Sequence, residues 1–313
     1  MNQGIYLALD GLTGAIISVM VVANTALGHA TTMGVSLLVN HLIGLFLISL
    51  ILFLGRKRPA ITGPKQKAPW PLYLSGMLGV LILNFNFYSF TVLGSSLAMA
   101  LTVFGQSVIS LIFDLNGWLG MEKRSFSIKK VIALAISGLG IVVMAAKGVG
   151  SFSFIYILLA FAAGAITITQ MILNSTFAIY KGPMKASQVT YFAGLGAAVP
   201  FYFLTQRSAT IQGFAKLGEV SFIQIIAGGT LSVMVLISTA FVIVKLPAIY
   251  SALLLSASQI LASVAIDVIF LSLFSPSLLI GAVLMLLGMA GNLLADRSNE
   301  LKEPAPEPSE TPQ

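Results

Sequence analysis

Gln106, Ser110 and Asp114 stand at four-residue intervals in an otherwise apolar run, TVFGQSVISLIFD. Side chains four apart on a helix drift by only about 40° per step, so these three form one polar stripe. Gln259, Ser263 and Asp267 repeat the pattern 153 residues further on. A glutamine amide both donates and accepts hydrogen bonds, and a carboxylate can carry a proton or hold a cation. The chemistry on offer is therefore solute hydrogen bonding at Gln106 and Gln259, with proton or cation handling at Asp114 and Asp267. The same residue types also bond neighbouring helices together, at about 0.6–2 kcal/mol per contact. For Ser110 and Ser263 that packing role is the simpler reading.

Further polar residues lie in apolar surroundings. Asp10 sits two turns into the first apolar stretch, within reach of interfacial water, and is read either as an interfacial carboxylate or as a gate residue. A central Asp costs about 2.5–3.5 kcal/mol on insertion scales, so each such residue needs a partner, a polar cavity or depth near the headgroups. Asn84 and Asn86, in NFNFY, are two residues apart and point different ways, so one of them is expected to face a cavity. Asn24 and Asn174 recur at matching places. His41, beside Asn40, and Gln170, beside Thr167 and Thr169, complete the candidate solute-binding set. A membrane His can carry a proton, and it can equally be a packed side chain with a satisfied hydrogen bond.

The elements that must position these residues follow from composition. Of 313 residues, 57% are hydrophobic and 9% charged, with a mean hydropathy of +0.98, which excludes an ordinary soluble domain. A spanning helix needs about 20 mostly apolar residues. Ten stretches qualify: Gly4 to Ala26, Met33 to Leu54, Trp70 to Val92, Ser96 to Leu115, Lys130 to Ala146, Phe154 to Phe177, Ala186 to Leu204, Ser221 to Val244, Ala248 to Leu271 and Ser277 to Ala295. They are too long and too continuously apolar for barrel strands, which alternate over about ten residues. The fold class is all-α integral membrane. The first stretch lacks a basic segment before it and a small-residue cleavage site after it, so it is expected to be a retained helix.

Lysine and arginine set the orientation. Fourteen of the 17 basic residues fall in alternate loops and the C-terminal segment, from Arg56 to Lys302, leaving Lys147, Arg207 and Lys216 on the other side. The positive-inside rule then puts both termini in the cytoplasm. The net charge of +7 sits in short loops beside spans, without a basic face interleaved with aromatics, which argues against nucleic acid as a partner. The segment 297–313, rich in proline and acid, is expected to be a disordered cytoplasmic tail.

The chain also repeats itself. GAIISVMVVAN, from Gly14 to Asn24, aligns with GAITITQMILN, from Gly164 to Asn174, 150 residues apart, and Gly138 aligns with Gly288 at the same offset. Two five-helix repeats are expected, 1–147 and 148–296. Five is odd, so the second copy enters the membrane inverted, an architecture that serves alternating access in many secondary transporters.

The run LGSSLAMALTVFGQSVISLIFDLNGWLG, from Leu93 to Gly120, resembles the signature of the YdcZ-type family in the drug/metabolite transporter superfamily, in which Gly-Gln is followed eight residues after the Gln by Asp and then a Gly. Asn24 and the Gly76–Gly79 pair fit the same pattern. Family members are usually half-length chains, and residues 4–295 resemble two of them fused. The second half departs from the signature at Ser258-Gln259 and after Asp267, and Leu115 stands where the family often has His. The resemblance implies ten helices, with the first four of each half around a central cavity and the fifth peripheral.

With no cysteine, no phosphate loop and neither HExxH nor GxSxG, there is no sign of an enzyme, a cofactor or a metal centre. The expectation is a secondary transporter, an exporter, of a small organic solute in the inner membrane, with proton coupling at the acids. The alternative is a non-transporting membrane scaffold. Partners are the solute and the lipid bilayer, with a homodimer left open.

Overall fold

The computed structural model describes residues 3–55, 67–118, 127–146, 154–242, 248–270, 272 and 274–300. The basic loop segments at 56–66 and 119–126, Lys147, Lys245 and the segment from 301 onward, on which parts of the orientation and tail readings rest, lie outside the described residues.

Eleven α-helices are present among the described residues: α1 (Gln3–Ala30), α2 (Met33–Leu54), α3 (Ser75–Leu93), α4 (Ser95–Asn116), α5 (Ile128–Ala145), α6 (Phe154–Lys181), α7 (Pro183–Thr205), α8 (Arg207–Lys216), α9 (Phe222–Val242), α10 (Ala248–Ile269) and α11 (Pro276–Glu300). A 3₁₀ turn, Trp70–Leu74, leads into α3. Ten of the helices correspond to the ten expected stretches. Eight spans are long and apolar enough to cross a membrane, and α10 adds a shorter apolar segment, Leu253–Ile269. The tenth, α7, falls below that measure because Lys185, Gln188 and Thr190 interrupt its apolar run and Pro200 lies inside it. The short α8 was not foreseen: RSATIQGFAK is too polar and too brief to register as a span.

The helices leave large apolar side chains such as Leu42, Phe46 and Phe53 of α2 exposed. Exposed residues of this kind suit lipid, which is as apolar as they are, so burial cannot drive helix association there. Close approach of backbones does instead. A Cβ on Gly164 of α6 would run into the carbonyl oxygen of Thr102 on α4, and one on Gly14 of α1 into the carbonyl of Leu255 on α10. These are equivalent contacts in the two halves, since Gly14 aligns with Gly164 and Thr102 with Leu255.

The main interfaces are doubled. α4 lies on α6 as α10 lies on α1; α3 lies on α6 and α7 as α9 lies on α1 and α2; α2 meets α7, and α5 meets α11. Exchanging α1–α5 with α6, α7, α9, α10 and α11 in order maps this network onto itself. The α5–α11 seam is tightened by Gly140 against Gly281 and Met285, and by Gly288 against Ala133 and Ser137. The largest core cluster draws on α1, α3, α4, α5, α6, α10 and α11, with Met99, Ala100 and Val103 of α4 at its heart.

Candidate functional site

Polar side chains concentrate on α1, α2, α3, α6 and α7, in two clusters equivalent by the repeat. The first surrounds Asn174 of α6. Its Oδ1 accepts from Ser75 Oγ of α3 at 2.8 Å and from Thr190 Oγ1 of α7 at 3.0 Å. One turn earlier on α6, Gln170 Nε2 donates to the Ser75 carbonyl at 2.9 Å. Gly79 of α3 leaves room beside it: a Cβ there would stand 3.1 Å from Gln170 Nε2 and 3.6 Å from His41 Nε2. The fold thus brings Gln170 and His41 to the same place on α3. His41 Nδ1 bonds the Leu37 carbonyl at 3.0 Å, and its ring lies edge-on to Tyr191, whose hydroxyl meets Ser232 Oγ at 2.7 Å.

The second cluster surrounds Asn24 of α1. Ser36 Oγ of α2 donates to the Asn24 backbone carbonyl at 2.6 Å. The Asn24 carboxamide lies against Gly228 of α9, where a Cβ would strike its Oδ1. Asn24 and Ser36 line a cavity between α1, α2 and α3 together with Asn86. Asn84, two residues away, turns elsewhere: its Nδ2 donates to Val80 O at 2.7 Å and its Oδ1 accepts from the Tyr202 hydroxyl at 2.6 Å.

The stripe residues are spread along the interfaces. Asp267 is buried, 3% exposed, and accepts the backbone N–H of Ser95 at 3.1 Å and of Ser96 at 2.7 Å. Those amides open α4, whose start is set by Gly94 at φ 77°, a left-handed conformation that glycine adopts without steric cost. The carboxylate meets both the unsatisfied N–H groups and the positive end of the helix dipole. Asp114 is paired with Lys130 of α5, Nζ to Oδ2 at 3.3 Å, both buried. Sequence reasoning set one carboxylate at each mouth of the chain; here each is held by the neighbouring helix. Asp10 of α1 is 1% exposed, has Ser251 of α10 as a hydrogen-bonding neighbour and keeps Oδ2 unpartnered.

Gln106 is half-buried on α4 where Gly164 approaches, and Gln259 is buried on α10, its backbone carbonyl accepting from Ser18 Oγ of α1 at 2.7 Å. Ser263 turns back to its own helix, Oγ to Ile260 O at 2.8 Å. Sequence reasoning missed Ser75 and Thr190 as partners of Asn174, and Lys130 as the partner of Asp114. Reading which residues fall opposite Asn24 and Asn174 in the aligned repeats would have flagged the first pair. No group of three or more His, Asp or Glu able to hold a metal occurs among the described residues.

Helices on this plan, eight long apolar spans and a doubled packing network define an all-α multi-pass membrane protein. The chain belongs to the DMT_YdcZ family, described as "Putative inner membrane exporter, YdcZ", whose model matches it twice, over residues 5–143 and 155–291. The double match is that of two family units in one chain, and it carries a membrane transport role. A solved structure titled "Crystal structure of protein" shares the fold, with a TM-score of 0.61 at 17% identity, covering 93% of this chain and 98% of that one. No curated protein matches the sequence.

Proposed function

We propose that the chain is a secondary active exporter of a small organic solute, working by alternating access between two inverted five-helix units, 1–147 and 148–296, with both termini in the cytoplasm. The observation that carries this reading is the doubled packing of the main interfaces: α4 on α6 and α3 on α6 and α7 have their counterparts in α10 on α1 and α9 on α1 and α2, as the Gly164–Thr102 and Gly14–Leu255 contacts do. Two units with matching interfaces can exchange conformations at little net cost, so that what is open on one side becomes closed on the other.

In this reading the solute is bound by the polar side chains of α1, α2, α3 and α6, drawn from Asn24, His41, Asn86, Gln170 and Asn174, with Asn84, Gln106 and Gln259 as further contacts. Asp114 and Asp267 act at the gates, since each ties one helix to the start of another and must be released for the units to shift. Asp10, buried with one oxygen unpartnered, is the carboxyl best suited to carry a proton.

The test is flux into proteoliposomes from a broad solute panel, with and without a pH gradient. Solute-dependent flux that is lost in Gln170→Ala and Asn86→Ala variants with parental thermal stability supports the proposal. A protein that moves no solute, with variants indistinguishable from the parent, sinks it in favour of a scaffold.

A further inference from the structure

α2 and α7 cross antiparallel, and their seam is closed in the middle by two glycines. A Cβ on Gly44 of α2 would strike the Tyr191 ring, and one on Gly194 of α7 the His41 ring. Toward the end of α2 and the start of α7 the seam is held by Gln188 Nε2, which donates to Ser49 Oγ at 2.9 Å. Beside that bond lies an open groove of about 400 Å³, lined by Leu45 and Ser49 of α2 and by Gln188, Val189 and Phe192 of α7. Its apolar wall continues along the same face of α2 through the exposed Leu42 and Phe46.

One end of this groove is cationic. Lys185 stands three and four residues before Gln188 and Val189, on the same face of α7, and is exposed. Lys181 closes α6 just ahead of it, and Lys67 adjoins Ala68, which packs with Phe177 of α6 and Ala186 of α7. Both are exposed, and none of the three lysines forms an ion pair among the described residues. The neighbouring sequence offers no carboxylate to pair them: residues 11–113 and 123–218, which contain α2, α3, α6 and α7, hold neither Asp nor Glu. The other end of the seam differs. By the repeat, Val35 stands in the place of Lys185, Leu38 in that of Gln188 and Val199 in that of Ser49, and α8 covers that end, with Gly213 against Thr32 and Val35.

We propose that the groove holds one anionic phospholipid, with its phosphate against Lys185, its ester carbonyls at Gln188 and Ser49, and an acyl chain along Leu45, Val189 and Phe192. An apolar wall alone would suit any lipid tail. The lysine rim selects the head group, since each lysine near the membrane surface strengthens association with anionic lipid about fivefold. After their mutual bond Gln188 keeps a second N–H and Ser49 its hydroxyl hydrogen, about one helical turn deeper than Lys185, and ester carbonyls only accept. α2 lies in the first of the two family matches and α7 in the second, so the lipid spans the joint between the halves. It stabilises their present arrangement, and it does so whether or not the chain moves a solute.

The test uses purified full-length protein in detergent, stripped of bound lipid. It is titrated with phosphatidylglycerol, with phosphatidylcholine carrying the same chains, and with glycerol phosphate, while thermal unfolding is followed. Phosphatidylglycerol is expected to raise Tm saturably by about 2 °C or more, phosphatidylcholine to act only at several-fold higher concentration, and glycerol phosphate to leave Tm unchanged. Lys185→Gln, at an exposed position, should weaken the apparent affinity for phosphatidylglycerol about fivefold, while Lys216→Gln on α8 should match the parent. Val189→Trp, which fills the groove, should abolish the shift. Equal responses to the two lipids, a shift with glycerol phosphate alone, or a Lys185→Gln variant that responds as the parent does overturns the proposal. The chain has no cysteine, so Val189→Cys reports on a second copy seated at the groove. Disulfide-linked dimers that persist in saturating phosphatidylglycerol would give the groove to another chain and overturn the lipid assignment; protection of that thiol from a maleimide by phosphatidylglycerol supports it.

Discussion

Asp267 of α10 holds the backbone N–H of Ser96, the second residue of α4, at 2.7 Å, joining residues 171 apart in sequence across the two units. With the Ser95 amide at 3.1 Å, the carboxylate uses both oxygens on one helix terminus. Capping of this kind usually comes from the residue just before the helix. Gly94 has no side chain to do it, and the opposite unit supplies the cap instead.

Asp267→Ala is expected to lower stability by about 1–3 kcal/mol, because two buried amide donors lose their acceptor. Asp267→Asn keeps one carbonyl oxygen and should lose about half of that. Thermal unfolding of the detergent-solubilised variants, read by circular dichroism, checks the order parent, Asn, Ala. Equal stability of Ala and parent would refute the capping role.

Gly164→Ala and Gly14→Ala each place a methyl group against a carbonyl of the facing helix, Thr102 in one case and Leu255 in the other. Each should cost about 1–3 kcal/mol, with the cost falling on the α4–α6 and α1–α10 interfaces respectively. Gly291→Ala is the control: its Cβ would sit 3.4 Å from the Ala133 side chain, an ordinary contact, and its Tm should stay near the parent's. Similar losses at all three positions would contradict the close-approach argument.

Lys130→Met leaves Asp114 buried beside α5 without the cation at 3.3 Å, and should destabilise by about 3–5 kcal/mol. The double variant Asp114→Asn, Lys130→Met removes the stranded charge and should recover most of the loss. A double-mutant cycle in thermal or denaturant unfolding measures the coupling, and additivity of the two single effects would show that the pair does not interact.

Asp10→Asn removes the titratable group while keeping its shape. With Asp10 carrying the coupled proton, flux in proteoliposomes should lose its dependence on the pH gradient while Tm stays within the parental range. A variant that responds to the gradient as the parent does assigns the proton elsewhere.

Ser75→Gly makes the Asn174 cluster resemble the Asn24 cluster, where Gly228 takes the place of Ser75. Removing one donor should cost about 0.5–1.5 kcal/mol, and Thr190→Val a similar amount. The two losses should not add, because both hydroxyls bond the same Oδ1 and each partly compensates for the other. Chemical denaturation of the single and double variants decides it.

Much of the architecture was legible before any coordinates. Apolar runs of about 20 residues and a match between Gly14–Asn24 and Gly164–Asn174 are local properties of the string, and each has one physical meaning in a bilayer. Helix ends were less legible: α1 and α6 run about a turn past the expected Ala26 and Phe177, to Ala30 and Lys181, because polar residues can extend a helix beyond its apolar run. α7 blurred the span count, since Lys185 and Gln188 sit in a helix whose other faces are apolar. Candidate residues were recognisable by type and recurrence, yet their partners were not.

By itself the sequence determined the class, the doubling and the polar residues that have to be accommodated, because hydropathy and repetition need no knowledge of which helices touch. Only the tertiary structure decided that Asn174 Oδ1 meets two hydroxyls while the Asn24 carboxamide meets none, and that Asp267 serves α4 rather than its own helix. Those outcomes depend on how each helix is rotated and which neighbour it meets. A hydrogen bond between residues about a hundred or more positions apart is set by that rotation, and an identical pair of asparagines can meet a serine on one side of the molecule and a glycine on the other.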